Sequence, residues 1–459
     1  MTEAGATDSL GPFALWKDRS LRFLMSASAT LVSAVTGVLR NKWFAQHLQA
    51  SGIGVLAQIV SSQAWLGTAA GMGLGVPVAR LLGAATAAED PAAARRTVWA
   101  AFSLLLVSGS AVIAFGLLFA TSISRALLGT PEHAVLIRIS MIGVAGVALQ
   151  QVLLGVFAGR SDLKAPLTFA LAGGGVSLAA SLLLVPRWGL RGAVLAAAIL
   201  FPVGCAGGLF LRRREYGPVL SPRPKPVLTS GLARSLLTVA AAGLISALVE
   251  QGTFLALRSH YVRVNGVEAN GYLQAGLAIS QQVGALFYAY LSSYAFGKIS
   301  GVAGVEATRD YTRKHWTPLV LLAAAAFIAA RLGAGPLLRL LYSHRFDPAQ
   351  PLMAWALVGE YGRVGLVLWA LGALPLGGTR LWFPLTLLIS VSVAISYAIA
   401  TSAGAGLMSF PIAYAGAGLV STLVGGAIMS RRGVTVGARD LLVFVLGAAV
   451  LVWLATIAG

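Results

Sequence analysis

The chain has 459 residues, 57% hydrophobic and 11% charged, with a mean hydropathy of +0.81. That balance excludes a water-soluble enzyme, because too little polar surface is available to cover a globule of this size. The net charge of +19 would suit nucleic acid, but the cations fall in short loops between apolar runs. Anionic membrane lipids are the simpler partner, and no nucleic acid is expected.

About 20 apolar residues suffice to cross a hydrocarbon core roughly 30 Å thick. Such stretches fall near 21–39, 54–79, 97–121, 136–158, 165–185, 191–211, 235–257, 271–297, 316–335, 352–375, 382–402, 407–430 and 440–458. The first follows Lys17, Asp18, Arg19 and Arg22 with no small-residue cleavage site after it, so it is read as a retained helix with a cytoplasmic N-terminus. That start places most of the 34 Lys and Arg in cytoplasmic loops, as the positive-inside rule requires. The connection at 212–234, with Arg212-Arg213-Arg214 and then Pro218, Pro222, Pro224 and Pro226, reads as an extended basic linker.

Shifting the chain on itself by 217 or 218 positions lays Pro166-Leu167-Thr168 on Pro384-Leu385-Thr386, and Gly54-Val55-Leu56 beside Gly271-Tyr272-Leu273. The sequence therefore predicts an all-α membrane protein of two six-helix bundles. These are an N-terminal one over 1–211 and a C-terminal one over 235–430, related by a pseudo-two-fold axis along the membrane normal. One extra helix follows at 431–459. A pathway between duplicated halves is the arrangement of a transporter.

Within the spans, Gly67, Gly71 and Gly75 recur every four residues before Pro77, spacing that suits a close helix contact or a bend. Charges are more informative, since a central Arg or Asp costs roughly 2.5–3.5 kcal/mol even on insertion-based scales. Glu250, Arg331, Glu360 and Arg363 lie inside spans, and Arg40, Lys42, Arg138 and Arg258 border them. The spacing of Glu360 and Arg363 fits an ion pair on one helix face. It fits equally a carboxylate at Glu360 that takes up a proton or sodium ion, with Glu250 as the alternative coupling site. Six cations against two carboxylates make the cavity prefer an anion, and guanidinium groups suit phosphate or pyrophosphate. Amides and rings at Gln58, Gln63, Trp65, Gln150, Gln151, Gln281, Gln282, Tyr288, Tyr290 and Tyr294 suit sugars.

The single Cys205 gives no disulfide framework and no metal spacing. No G-x-x-x-x-G-K-[ST] loop is present, and His47, His260 and His344 are scattered, so neither ATP-driven pumping, nor an enzymatic site, nor a cofactor is expected.

The runs Gly54-Val55-Leu56-Ala57-Gln58 and Gly71-Met72-Gly73-Leu74-Gly75, with Pro186-Arg187-Trp188-Gly189-Leu190-Arg191-Gly192-Ala193, resemble short motifs of the polysaccharide and O-antigen flippases. These belong to the multidrug/oligosaccharidyl-lipid/polysaccharide exporter superfamily. In topology the resemblance covers the first 430 residues. It implies a bacterial inner-membrane flippase that moves an undecaprenyl-pyrophosphate-linked oligosaccharide by alternating access. Its expected partners are membrane lipids, H+ or Na+ as coupling ion, and the polysaccharide polymerase machinery. Arg40, Lys42, Arg258, Arg331, Arg363, Gln58, Gln282 and Tyr288 are the candidate substrate residues, and Glu360 and Glu250 the candidate ion sites. Thirteen spans depart from the family's twelve or fourteen. A cation-coupled multidrug exporter, a lipid-linked cell-wall precursor flippase and a membrane-bound transferase remain alternatives.

Overall fold

The computed structural model describes residues 12–162, 164–220, 229–291 and 304–457. All regular structure among them is helical. In chain order the helices are α1 Pro12–Gly71, α2 Gly75–Ala87, α3 Pro91–Leu118, α4 Ala120–Leu128, α5 Ala134–Gly159, α6 Ala165–Ala198, α7 Leu200–Leu211 and α8 Arg213–Leu220. The second part contains α9 Ser230–Tyr290, α10 Val305–Leu332, α11 Ala334–Leu341, α12 Gln350–Ser402, α13 Ser409–Ser430 and α14 Ala438–Thr456. Tyr294 and the linker segment 221–228 lie outside the described residues.

Helices of 60 residues such as α1 would be about 90 Å long if straight, three times the hydrocarbon thickness. They fold back instead, each at a single non-helical residue: Gln49 in α1, Gly189 in α6, Gly266 in α9 and Gly378 in α12. Contacts between the arms show the reversal. Ser177 donates to the Ala196 carbonyl across the α6 turn, and Arg258 donates to Asn270 across the α9 turn. Among the described residues eight helices, or nine with the bent α1–α2 pair, are long and apolar enough to cross a membrane. Divided at these reversals, with α2 and α7 continuing the second and sixth arms, the long helices give thirteen arms that follow the apolar stretches in order.

The duplication is written into the backbone. Gly266 stands 217 positions after Gln49, Gly378 stands 217 after Ser161, and Gly406 stands 217 after Gly189, and all six have positive φ. Gly54 and Gly271 are again 217 apart, and there the two halves cross. A Cβ on Gly54 would collide with the Val267 carbonyl, and one on Gly271 with the Ala50 carbonyl. Reciprocal contact of equivalent residues is what a two-fold axis produces.

The Gly67, Gly71 and Gly75 face packs on α5, against Val147, Gln151 and the Gln151 carbonyl respectively. Between Gly71 and Gly75 the chain breaks at Met72 and Gly73, both at positive φ, and α2 leaves α1 at 43°. The linker differs from its sequence reading at 213–220, which is helical with Pro218 inside. Tertiary contacts override the proline: Trp99 donates to the Leu220 carbonyl, and Tyr216 donates to Asp162, which also pairs with Arg212 at 2.8 Å. Near the other membrane face, hydrogen bonds from Arg339 hold the Asp347 carboxyl below its usual range and tie down the turn before α12.

Candidate substrate cavity and charged clusters

The first arm of α1 carries Arg40 between two cavities. One, of about 260 Å³, is lined by Arg40, Asn41, Phe44, Ala57 and Gln63, with Gln274 of α9 and Tyr342 closing it from the other half. The other, of about 400 Å³, runs within the N-terminal half between α1, α5 and α6. Leu200 and Phe201 wall both. Arg40 donates from one terminal nitrogen to Ser177 at 3.1 Å, while its Nε is buried without a partner and no carboxylate pairs with it among the described residues. The Oε1 atoms of Gln58 and Gln63 are likewise buried and unpartnered. Such orphaned polar atoms are costly unless something meets them.

Along α9, Gln281 is exposed and lies seven residues, two turns, beyond the cavity-lining Gln274. Gln281 lines neither of the two cavities. Gln282 is exposed on the adjoining face. Lys42 is half-buried and lines neither cavity, and Arg138 is exposed on α5.

Where the halves cross, Gln58 and Arg258 make a polar clasp. Gln58 Nε2 donates to Ser259 Oγ at 2.7 Å. Arg258, 7% exposed, donates to Asn270 Oδ1 at 3.0 and 3.3 Å and to Ser61 at 3.3 Å. Asn270 in turn donates to the Gly54 carbonyl at 2.8 Å. Arg258 therefore bridges the two halves at their junction.

The C-terminal half gathers the remaining charges. Arg363 on α12 pairs with Glu250 on α9, so its partner is a different helix and not the neighbouring Glu360. Glu360 is 1% exposed and accepts from Tyr414 on α13. It fits because α9 has glycine opposite: a Cβ on Gly284 would come within 2.8 Å of Glu360 Cγ. The Arg363 guanidinium lies 5.7 Å from the Tyr288 ring centre. Arg331 is elsewhere, donating to the Leu454 carbonyl of α14 at 2.9 and 3.2 Å, which carries it away from the space between the halves. No group of three His, Cys, Asp or Glu positioned for a metal exists among the described residues.

Sequence reasoning missed Asn270, Ser61, Gln274, Tyr342 and Tyr414. Asn270 and Gln274 were open to discovery, as polar residues at the start of an apolar stretch beside a repeat-matched glycine.

No family model matches the chain. It is 26% identical over 350 residues to the lipid III flippase of Escherichia coli (strain K12), and equally to that of Shigella flexneri; each match covers 74% of this chain and 82% of the relative. Among solved structures, a multidrug resistance MATE family transporter of the MOP superfamily in its inward-facing conformation superposes with a TM-score of 0.71 at 14% identity, covering 95% of this chain and 100% of that one. The lipid II flippase MurJ in an inward closed conformation gives 0.70 at 15% identity, covering 95% and 97%. A MATE transporter in the outward-facing conformation gives 0.60 at 14% identity, covering 90% and 95%. The chain thus has the two-halved helical fold of these membrane transporters.

Proposed function

We propose that this protein is a bacterial inner-membrane flippase that carries a pyrophosphate-linked lipid oligosaccharide from the cytoplasmic to the periplasmic leaflet by alternating access of its halves. The observation that carries this reading is Arg40, a guanidinium without a carboxylate partner among the described residues, in a cavity between α1 and α9 that otherwise offers amides and apolar walls. An anionic head supplies the charge and the acceptors that Arg40 lacks, and a guanidinium meets phosphate with paired hydrogen bonds. The resemblance to lipid III flippases supports a lipid-linked glycan. The contact at Gly54 and Gly271 joins the halves at one end of the space between them, the periplasmic end in this reading.

Coupling is assigned to the C-terminal half. With both carboxylates ionised, Glu250, Glu360 and Arg363 sum to one negative charge, and a single proton on Glu360 makes the cluster neutral. Arg363 already supplies a cation there, which favours a proton over sodium as the transported ion. A multidrug exporter needs open carboxylates for organic cations, and both of these are engaged by Arg363 or Tyr414.

The test is transfer of a fluorescent lipid-pyrophosphate glycan across proteoliposomes, with and without a proton gradient, against a cationic dye as competing cargo. Glycan movement that the dye does not inhibit is expected. Arg40→Gln should weaken binding by about 10- to 100-fold, the loss of one charge-assisted contact. Glu360→Gln should leave movement insensitive to the gradient. Dye transport without glycan transport would replace this reading with the multidrug one.

A further inference from the structure

Arg40 ends a second space that the flippase reading does not use. The groove of about 400 Å³ between α1, α5 and α6 is lined largely by apolar and small residues, among them Gly37, Leu154, Phe169, Ala170, Gly173 and Gly174. Gly174 meets Thr36 closely, so α6 lies against α1 there, but at Gly37 an added Cβ would touch nothing within 4 Å. The wall retreats at Gly37 and leaves room one turn from the guanidinium. Ser33 and Leu154 along the groove are exposed, so it has a mouth.

A diphosphate lipid whose head reaches Arg40 brings its hydrocarbon along. That chain gains nothing by exchanging bilayer for an equally apolar protein wall. It loses a great deal if the route between head and bilayer is water. The groove begins at the same guanidinium, and apart from Ser33, Thr36 and Gln150 its remaining walls are apolar or glycine. A neutral lipid would leave Arg40 without counter-charge, and a bare anion would leave the groove empty. We propose that this intra-half groove receives the first part of the hydrocarbon chain of the lipid whose diphosphate Arg40 holds. The N-terminal half alone then grips head and tail, while the sugars project into the cleft toward Gln274. The proposal rests on the flippase reading.

The experiment compares binding of farnesyl diphosphate and inorganic pyrophosphate to the full chain in nanodiscs. Wild type, Gly37→Trp and Arg40→Gln are measured after each is confirmed folded by thermal unfolding. Wild type is expected to bind farnesyl diphosphate at least tenfold more tightly than pyrophosphate. Gly37→Trp, which fills open space, should bind pyrophosphate as wild type does and lose that tenfold preference. Arg40→Gln should weaken both. If Gly37→Trp does not fold, Ala29→Leu at the far end of the groove takes its place. Undiminished preference in the groove variants would overturn the tail site while leaving the flippase reading intact, and wild type that binds neither probe would overturn both. Phosphatidylglycerol in the nanodisc should not displace the farnesyl probe; full displacement would reassign the groove to bilayer lipid.

Discussion

Four of the six cations that charge and hydropathy single out end in distinct environments, and what separates them is whether a partner already satisfies each one. Arg331 is bound by a backbone carbonyl, Arg258 by an amide and a hydroxyl, and Arg363 by a carboxylate, while Arg40 has one hydroxyl and a free Nε. Glu250 and Arg363 have side chains 29% and 26% exposed, so their pair falls between an exposed bridge worth about 1 kcal/mol or less and a buried one whose breakage costs roughly 3–5 kcal/mol. Glu250→Ala should therefore lower stability by about 2 kcal/mol in thermal unfolding in detergent, and adding Arg363→Met should restore most of it. Destabilisation that simply adds in the double variant would mean the two do not act as a pair. Sequence could find these charges because each is expensive in hydrocarbon. It could not find their partners, since Glu250 and Arg363 are 113 positions apart and nothing local distinguishes Glu250 from Glu360 as the acceptor. Tyr414 was equally hidden, because an aromatic in a span reads as packing until its hydroxyl is seen on a buried carboxylate.

At the level of the helices, the crossings were legible because hydropathy and the repeat shift agree, but the form of the turns was not. Three of the four reversals use glycine, the residue for which positive φ is free. The fourth uses Gln49 at φ 58° and ψ −176°, a region essentially reserved to glycine, and no turn rule picks out a glutamine. Its repeat counterpart Gly266 shows what the position prefers, so Gln49→Gly should raise stability by about 1 kcal/mol by removing strain, read as a higher unfolding temperature; a lower one would place Gln49 in a contact that outweighs its backbone. The glycine crossing makes a second prediction. Any side chain at Gly54 must displace the Val267 carbonyl, so Gly54→Val should pry the halves apart at their junction. Spin labels at His47 and Val264, both exposed, should then show a longer distance population by pulsed electron resonance. An unaltered distribution would mean that the crossing does not hold the halves together at this end.

Across the whole molecule the repeat is symmetric in path and asymmetric in chemistry. The N-terminal half presents Arg40, which no carboxylate meets among the described residues, and the two cavities that adjoin it, whereas the C-terminal half pairs Arg363 with Glu250, buries Glu360 and gains α14. That added helix packs on α10 and α12 through specific contacts. Tyr361, next in sequence to Glu360 and 1% exposed, stacks on Phe444 at 5.1 Å and donates to its carbonyl. Thr317 donates to Asp440, and Arg331 caps the Leu454 carbonyl. The helix thereby packs on the face of α12 that carries Tyr361, the neighbour of Glu360, a contact that hydropathy could not assign. Gly447 is where the helix meets Tyr361: an added Cβ would lie 3.0 Å from the ring carbon that bears the hydroxyl. Gly447→Leu should therefore lift α14 away and admit solvent to the C-terminal half alone. Amide exchange on α10 and α12 is expected to rise, and gradient dependence of transport to weaken, while pyrophosphate binding at Arg40 stays at the wild-type level. If head binding fell together with coupling, the two halves could not be the separate sites of cargo and proton that we propose.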